Sequence, residues 1–182
     1  MKTHGIDIQK DGITITKLSG DGTFASSDDE TLSTSKANKS YVDDKVESGC
    51  RAYRTVAQNI PDATFTKVQF NIEDYDNLNE YDHVTNHRFT ATKAGVYLVC
   101  SAVQMVILED ASRIVLSVYK NGSEYARCLD YVIGASGYVA PIASVPVKMA
   151  ANDYVEIFIY QNSAGAKNTY TNYVYMIVQR VA

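Results

Sequence analysis

The chain has 182 residues, 46% hydrophobic and 21% charged, with a formal net charge of −4 and a pI of about 5.3. That size and balance suit one globular domain with a smaller appendage. No basic stripe is present to follow a nucleic-acid backbone, and the longest uncharged apolar run, 96–108, is too short to span a bilayer and contains Ser101 and Gln104. Neither nucleic-acid binding nor membrane insertion is therefore expected.

The start, Met1-Lys2-Thr3-His4-Gly5, lacks the apolar centre of a secretion signal. Export would then need another route, such as lysis of the host. Residues 1–34 are polar and rich in Gly, Ser, Thr and Asp. Within them, 12–18 (Gly-Ile-Thr-Ile-Thr-Lys-Leu) alternates and reads as one half-buried strand. Asp11-Gly12 before it and Ser19-Gly20-Asp21-Gly22 after it are turn signals. The segment has too few apolar residues for its own core. It is expected to pair with copies of itself or with a neighbouring part of a larger assembly.

A helix is predicted over 33–48, with Ser33 or Ser35 as its cap, and 35–49 is taken as a separate trimerising division. Its sparse apolar positions are Ala37, Tyr41, Val42 and Val46, on one side. A lone helix of this length is marginal in water. Packing against symmetry mates would stabilise it, and Asn38, one turn before Val42, would then set register and strand number. A solvated linker helix is the alternative.

From Cys50 to the end, 50–182, the pattern is strands and turns. Strands are predicted at 64–72, 88–92, 95–108, 113–120, 125–132, 143–149, 153–161 and 173–181. Asn121-Gly122 between two of them is the strongest hairpin signal. This count and spacing, with no helical period between, predict an all-β antiparallel sandwich or jelly roll. Strand 153–161 is apolar on both faces: Val155, Ile157 and Ile159 on one, Tyr154, Phe158 and Tyr160 on the other. Strand 95–108 behaves similarly. Antiparallel sheets usually wet one face, so the aliphatic set is assigned to the core and the aromatic set to a subunit interface. The alternative is a twisted strand partly covered within one subunit.

Three cysteines, Cys50, Cys100 and Cys128, are neither a disulfide framework nor a zinc pattern and are read as buried free thiols. Fourteen Tyr against five Phe and no Trp suit surfaces part dry and part wet, although strand propensity also favours Tyr.

Residues 52–182 resemble a C1q-like domain of the C1q and tumour-necrosis-factor jelly-roll superfamily. Phe89-Thr90-Ala91-Thr92-Lys93-Ala94-Gly95-Val96-Tyr97 resembles its Phe, spacer, Gly-x-Tyr pattern. Tyr119-Lys120-Asn121-Gly122 resembles its Lys-Asn-Gly hairpin. Ala151-Asn152-Asp153-Tyr154-Val155 resembles its Gly-Asp-x-Val turn, with Asn152 in place of Gly; Asn also tolerates positive φ. The closing Phe-x-Gly-Phe element is replaced by Tyr173-Val174-Tyr175-Met176-Ile177. Ahead of it, 29–43 resembles the Thr-Leu-x-Thr-x-Lys-Ala-Val-Lys-x-Tyr-Val-Asp segment of phage tail-fibre proteins, with Asn38 where Val is usual. Together these resemblances imply a ten-stranded-type jelly-roll head on a short helical stalk. They imply a homotrimer on a virion, assembled in the bacterial cytoplasm and acting outside it, with the N-terminus meeting other virion proteins.

Catalytic signals are weak. His83 and His87 are four apart but sit in a polar loop, and no nucleophile elbow, zinc-protease helix or phosphate loop occurs. No resident cofactor is expected except calcium, suggested by Asp74, Asp76, Glu80 and Asp82, whose hard oxygens suit it. That loop lacks the central Gly and closing Glu of an EF-hand, and the resemblance adds only that such heads sometimes hold calcium near their three-fold axis. Tyr75, Tyr81, Tyr131, Tyr138, Tyr170 and Tyr173 lie in or beside predicted loops, where binding residues concentrate. They are the candidates for contact with a host-surface glycan or protein. The remaining readings are an architectural trimerising cap, a polysaccharide-cleaving fibre and a bacterial C1q-like protein unrelated to phage.

Overall fold

The computed structural model describes residues 47–182 and two short N-terminal strands, β1 (Gln9–Lys10) and β2 (Ile13–Thr14). The chain divides into two compact units, Met1–Val46 and Glu47–Ala182. In the first, β1 and β2 pair antiparallel, with Gln9 opposite Thr14 and Lys10 opposite Ile13. The sequence-predicted Asp11-Gly12 turn lies outside the described residues. The predicted helix, with Ala37, Asn38, Tyr41, Val42 and Val46, lies outside the described residues.

The second unit is an antiparallel sandwich. Its strands are β3 (Gly49–Tyr53), β4 (Asn59–Ile60), β5 (Thr66–Lys67), β6 (Ile72–Asp76), β7 (Tyr81–Asp82), β8 (Arg88–Thr90), β9 (Gly95–Leu108), β10 (Arg113–Lys120), β11 (Ser123–Val132), β12 (Gly137–Val139), β13 (Ile142–Met149), β14 (Tyr154–Gln161) and β15 (Lys167–Arg180). One sheet runs β11-β10-β14-β8-β7, with β5 also on β14. The other runs β12-β9-β15-β3-β6, with β13 also on β9 and β4 on β15. Among the described residues no helix is long and apolar enough to cross a membrane.

Alternation fills the core. Val155, Ile157 and Ile159 of β14 face Val99, Val103 and Met105 of β9 and Val174, Met176 and Val178 of β15 in one buried cluster. Tyr97 is fully buried beside Phe89, ring centroids 5.6 Å apart. Its hydroxyl donates to the Lys93 carbonyl at 2.7 Å and lies 2.9 Å from Ser48 Oγ.

Two turns lock together. Asn121 and Gly122 both have positive φ, 51° and 79°, the conformation that matches a two-residue turn to strand twist. Asn121 Nδ2 donates to Asp153 Oδ1 at 2.7 Å, and its Oδ1 accepts from the Tyr154 amide at 2.9 Å. Lys120 Nζ pairs with Asp153 Oδ2 at 2.8 Å. Asn152 has φ 71°, as its replacement of Gly requires. Gly95 answers a different need: a Cβ there would lie 2.4 Å from the Ala182 carbonyl oxygen, which instead accepts from the Val96 amide at 2.6 Å.

The expected strand 64–72 is not one strand. Only Thr66 and Lys67 pair with β14, and the Val68 amide still bonds to Ile157. By Asn71 the backbone bonds to Tyr53 in the opposite sheet. Val68 and Phe70 are buried between the sheets, so the alternation reported burial where the ladder changes partner.

Candidate binding surfaces

The outer faces of the two sheets are finished differently. On the β10–β14 face, Tyr119 stacks on Phe158 at 4.0 Å, and Phe65 lies 5.2 Å from Tyr160. Arg127 covers Phe65, Arg113 covers Tyr160, and Arg88 lies 4.1 Å over Tyr154. Arg113 chelates Asp130 through two nitrogens, and Arg127 chelates Glu124. Glu156, buried among these rings, pairs with Lys67 at 2.5 Å. The structure therefore half-buries Tyr154, Phe158 and Tyr160 within their own chain. The sequence assigns these side chains to a subunit interface; within one chain the segment carrying Phe65 and Lys67 packs against Tyr160 and Glu156.

The β9–β15 face is less covered. Register aligns Ile142, Ala102, Tyr175 and Tyr53 in one row across four strands, and Ser144, Cys100, Ile177 and Arg51 in the next. Pro146, Leu98 and Gln179 form a third. Arg51 spreads over Tyr53 and Tyr175 and pairs with Asp74 at 2.8 Å. Toward β13 that cover stops, and Ile142 is 65% exposed and Leu98 36%. Of the three free cysteines, Cys50 is buried as expected, whereas Cys100, on this face, and Cys128 are half-exposed.

The six candidate tyrosines separate into three groups. Tyr138, Tyr170 and Tyr173 come together, Tyr138 edge-on to Tyr170 at 6.1 Å and Tyr170 stacked on Tyr173 at 6.0 Å. Tyr75 on β6 and Tyr131 on β11 are exposed but apart from them. Tyr81 is corrected from loop to core: it is 4% exposed, its hydroxyl donates to the Phe70 carbonyl at 3.2 Å, and burial pushes that hydroxyl's pKa well up.

The four candidate calcium ligands do not converge. Asp74 is paired with Arg51. Asp76 Oδ2 accepts from the Tyr81 amide at 2.7 Å. Glu80 is buried and accepts from Ser48 Oγ, the Thr92 amide and Thr92 Oγ1. Asp82 accepts from the amides of Thr85, Val84 and Asn86, which hold its carboxyl at about 2. Among the described residues no three His, Cys, Asp or Glu side chains gather as a metal site, and Asp76 Oδ1 is buried without a hydrogen-bond partner. His83 Nδ1 meets Glu73 Oε1 at 2.5 Å, while His87 faces the Phe70 carbonyl. A polar cleft of about 480 Å³ opens beside His83, Glu73, Asn79, Asn86 and Arg88.

Solved structures with a similar fold include TNF and C1q domains. The globular domain of zebrafish complement 1qA matches with a TM-score of 0.55 at 13% identity, covering 74% of this chain and 98% of that one. Murine APRIL at pH 5.0 matches at 0.56 and 12%, covering 74% and 99%. Eiger TNF from S. frugiperda matches at 0.55 and 9%, covering 76% and 94%. The fold is the C1q and tumour-necrosis-factor jelly roll. No protein-family model matches the chain. In sequence it is similar to the phage-like element PBSX protein XkdV of Bacillus subtilis (strain 168), 30% identical over 111 residues. That match covers 57% of this chain and 16% of the much longer XkdV.

Proposed function

We propose that the chain is a phage virion component whose jelly-roll head assembles as a homotrimer and attaches the particle to a glycan or protein on the host surface. Residues ahead of the head would meet other virion proteins. Its role is adhesion, without bond-making chemistry.

The observation that carries the reading is the contrast between the two outer faces. One is closed by stacked rings, chelated arginines and an ion pair between half-buried Lys67 and buried Glu156. The other leaves Leu98, Ile142 and half-exposed Cys100 uncovered in aligned rows. Contiguous uncovered apolar surface marks an interaction site, and closed rotational symmetry lets copies bury one patch repeatedly. The similarity to a phage-element protein supports the virion setting, as does the resemblance of 29–43 to tail-fibre segments.

The test joins two measurements on the full chain: its mass in solution and its adsorption to cells of candidate host strains. The reading expects three subunits and strain-dependent adsorption. Mass of three with no adsorption to any strain would leave an architectural role in its place.

A further inference from the structure

Resting on that attachment reading, we infer that Tyr138, Tyr170 and Tyr173, with the Gln104 amide on the strand opposite, form a saccharide-binding platform at the end of the head away from residue 47.

The backbone makes this place unusual. Thr169 pairs with Met105 and Val174 with Val103, so the four residues between them face Gln104 alone. An irregularity of this kind gives up ladder hydrogen bonds and re-aims side chains. Here it presents Tyr170 and Tyr173 outward, 38% and 59% exposed, and β12 brings Tyr138, 60% exposed, against them. Phenol rings offer flat apolar faces and a polar tip, the combination that stacks on the C–H face of a pyranose and bonds to its hydroxyls. Polar partners lie close along the chain: Asn59 Nδ2 donates to Asn168 Oδ1 at 3.2 Å, two residues before Tyr170.

Gln104 adds a second observation. Its Oε1 is buried with no hydrogen-bond donor. A buried acceptor without a partner is costly, so turning the amide out toward a sugar hydroxyl sacrifices no existing bond of that oxygen.

Position favours an outside ligand over a second copy of the chain. The head begins where Ser48 O accepts from Arg180 and Val96 bonds to Ala182, at the start of β9. The tyrosines lie near the Met105 and Leu108 end, so roughly 40 Å of strand separates the two ends. The surface also changes character, from aliphatic rows around Leu98 and Ile177 to phenols and amides.

The test applies the full chain to an array of bacterial surface polysaccharides and their oligosaccharide fragments, with cell adsorption and solution mass measured in parallel. Wild type should bind at least one saccharide. Tyr173→Ala and Tyr138→Ala should weaken that binding about tenfold or more with native mass kept. Gln104→Leu should weaken it too, while thermal stability holds or rises because the orphan acceptor is gone. The chain has no Trp, so Tyr173→Trp should keep binding and report the sugar by a fluorescence change. Unaltered saccharide binding in the alanine variants overturns the site, and so does a change of mass in Tyr173→Ala, which would place a neighbouring copy there. Cell adsorption with no saccharide bound also overturns it and leaves the attachment reading standing. Wild type that adsorbs to no cell and binds no saccharide overturns both.

Discussion

Tyr119 and Phe158 stack with ring centroids 4.0 Å apart and planes 26° from parallel. They lie on neighbouring strands of one sheet, on its outer face, where a lone sandwich would be wetted. With Phe65 and two arginine ion-pair forks they close that face inside one chain. The surface proposed to meet neighbouring copies is on the other sheet, around Leu98 and Ile142.

Phe158→Ala removes a half-buried ring from this stack. It should cost about 2 kcal/mol, read as a lower urea midpoint at fixed protein concentration, and leave the solution mass unchanged. Loss of mass with unaltered stability would return this ring to a subunit interface.

Ile177→Glu and Leu98→Glu place a charge in the rows proposed to meet neighbouring copies. A carboxylate cannot be buried there unpaired. Each should shift the mass in light scattering from three subunits toward one, with the β-sheet circular dichroism retained.

Gly95→Ala tests the closure of the head at its termini. The added carbon would stand 2.4 Å from the Ala182 carbonyl oxygen and 2.5 Å from Arg180 Nε. The last residues must move, at a cost of about 1–3 kcal/mol, visible as a lower melting temperature. An unchanged melting temperature would mean that this contact contributes nothing.

Much of the sandwich was legible from sequence. Strands β9, β10, β13 and β14 are long enough for alternation to show, and Asn121-Gly122 states its turn chemistry outright. The first half was harder. Strands β4, β5 and β7 have two residues each, and their pairings are set by distant partners rather than local pattern. The segment 64–72 alternates yet changes sheets, because burial and ladder partner are separate properties. Tyr81 looked like a loop residue among acids, but it folds inward because Asp76 accepts its amide and Phe70 its hydroxyl. The platform tyrosines were on the candidate roster. Their convergence was not legible, since it depends on a register break in β15 between Thr169 and Val174. Both faces of β9 also read as apolar. Nothing local said that β14 would find cover from Phe65 and β9 would not.

Acid stability follows from three carboxyls held low. Thr85 and its neighbours hold Asp82 at about 2. Arg113, then Arg127, hold Asp130 at about 2, and Lys120, then Asn121, hold Asp153 well below the usual range. In each case the folded pKa lies below the unfolded one, so the folded chain binds fewer protons. Their contribution is complete above about pH 4 and is lost as pH falls toward the folded values. Urea midpoints should be level from pH 7 to about 5 and drop steeply between about pH 4 and 2. Asp82→Asn should start lower at pH 7 and show a shallower drop. A drop of equal slope in that variant would remove Asp82 from the account.

The most direct measurement is the native mass of the full chain at micromolar concentration, by light scattering or sedimentation equilibrium. The account predicts three times the 20.1 kDa chain mass, falling when Ile177 becomes Glu. A soluble, well-folded species at the mass of one chain would contradict it, because the rows around Leu98 and Ile142 would then face water without a partner.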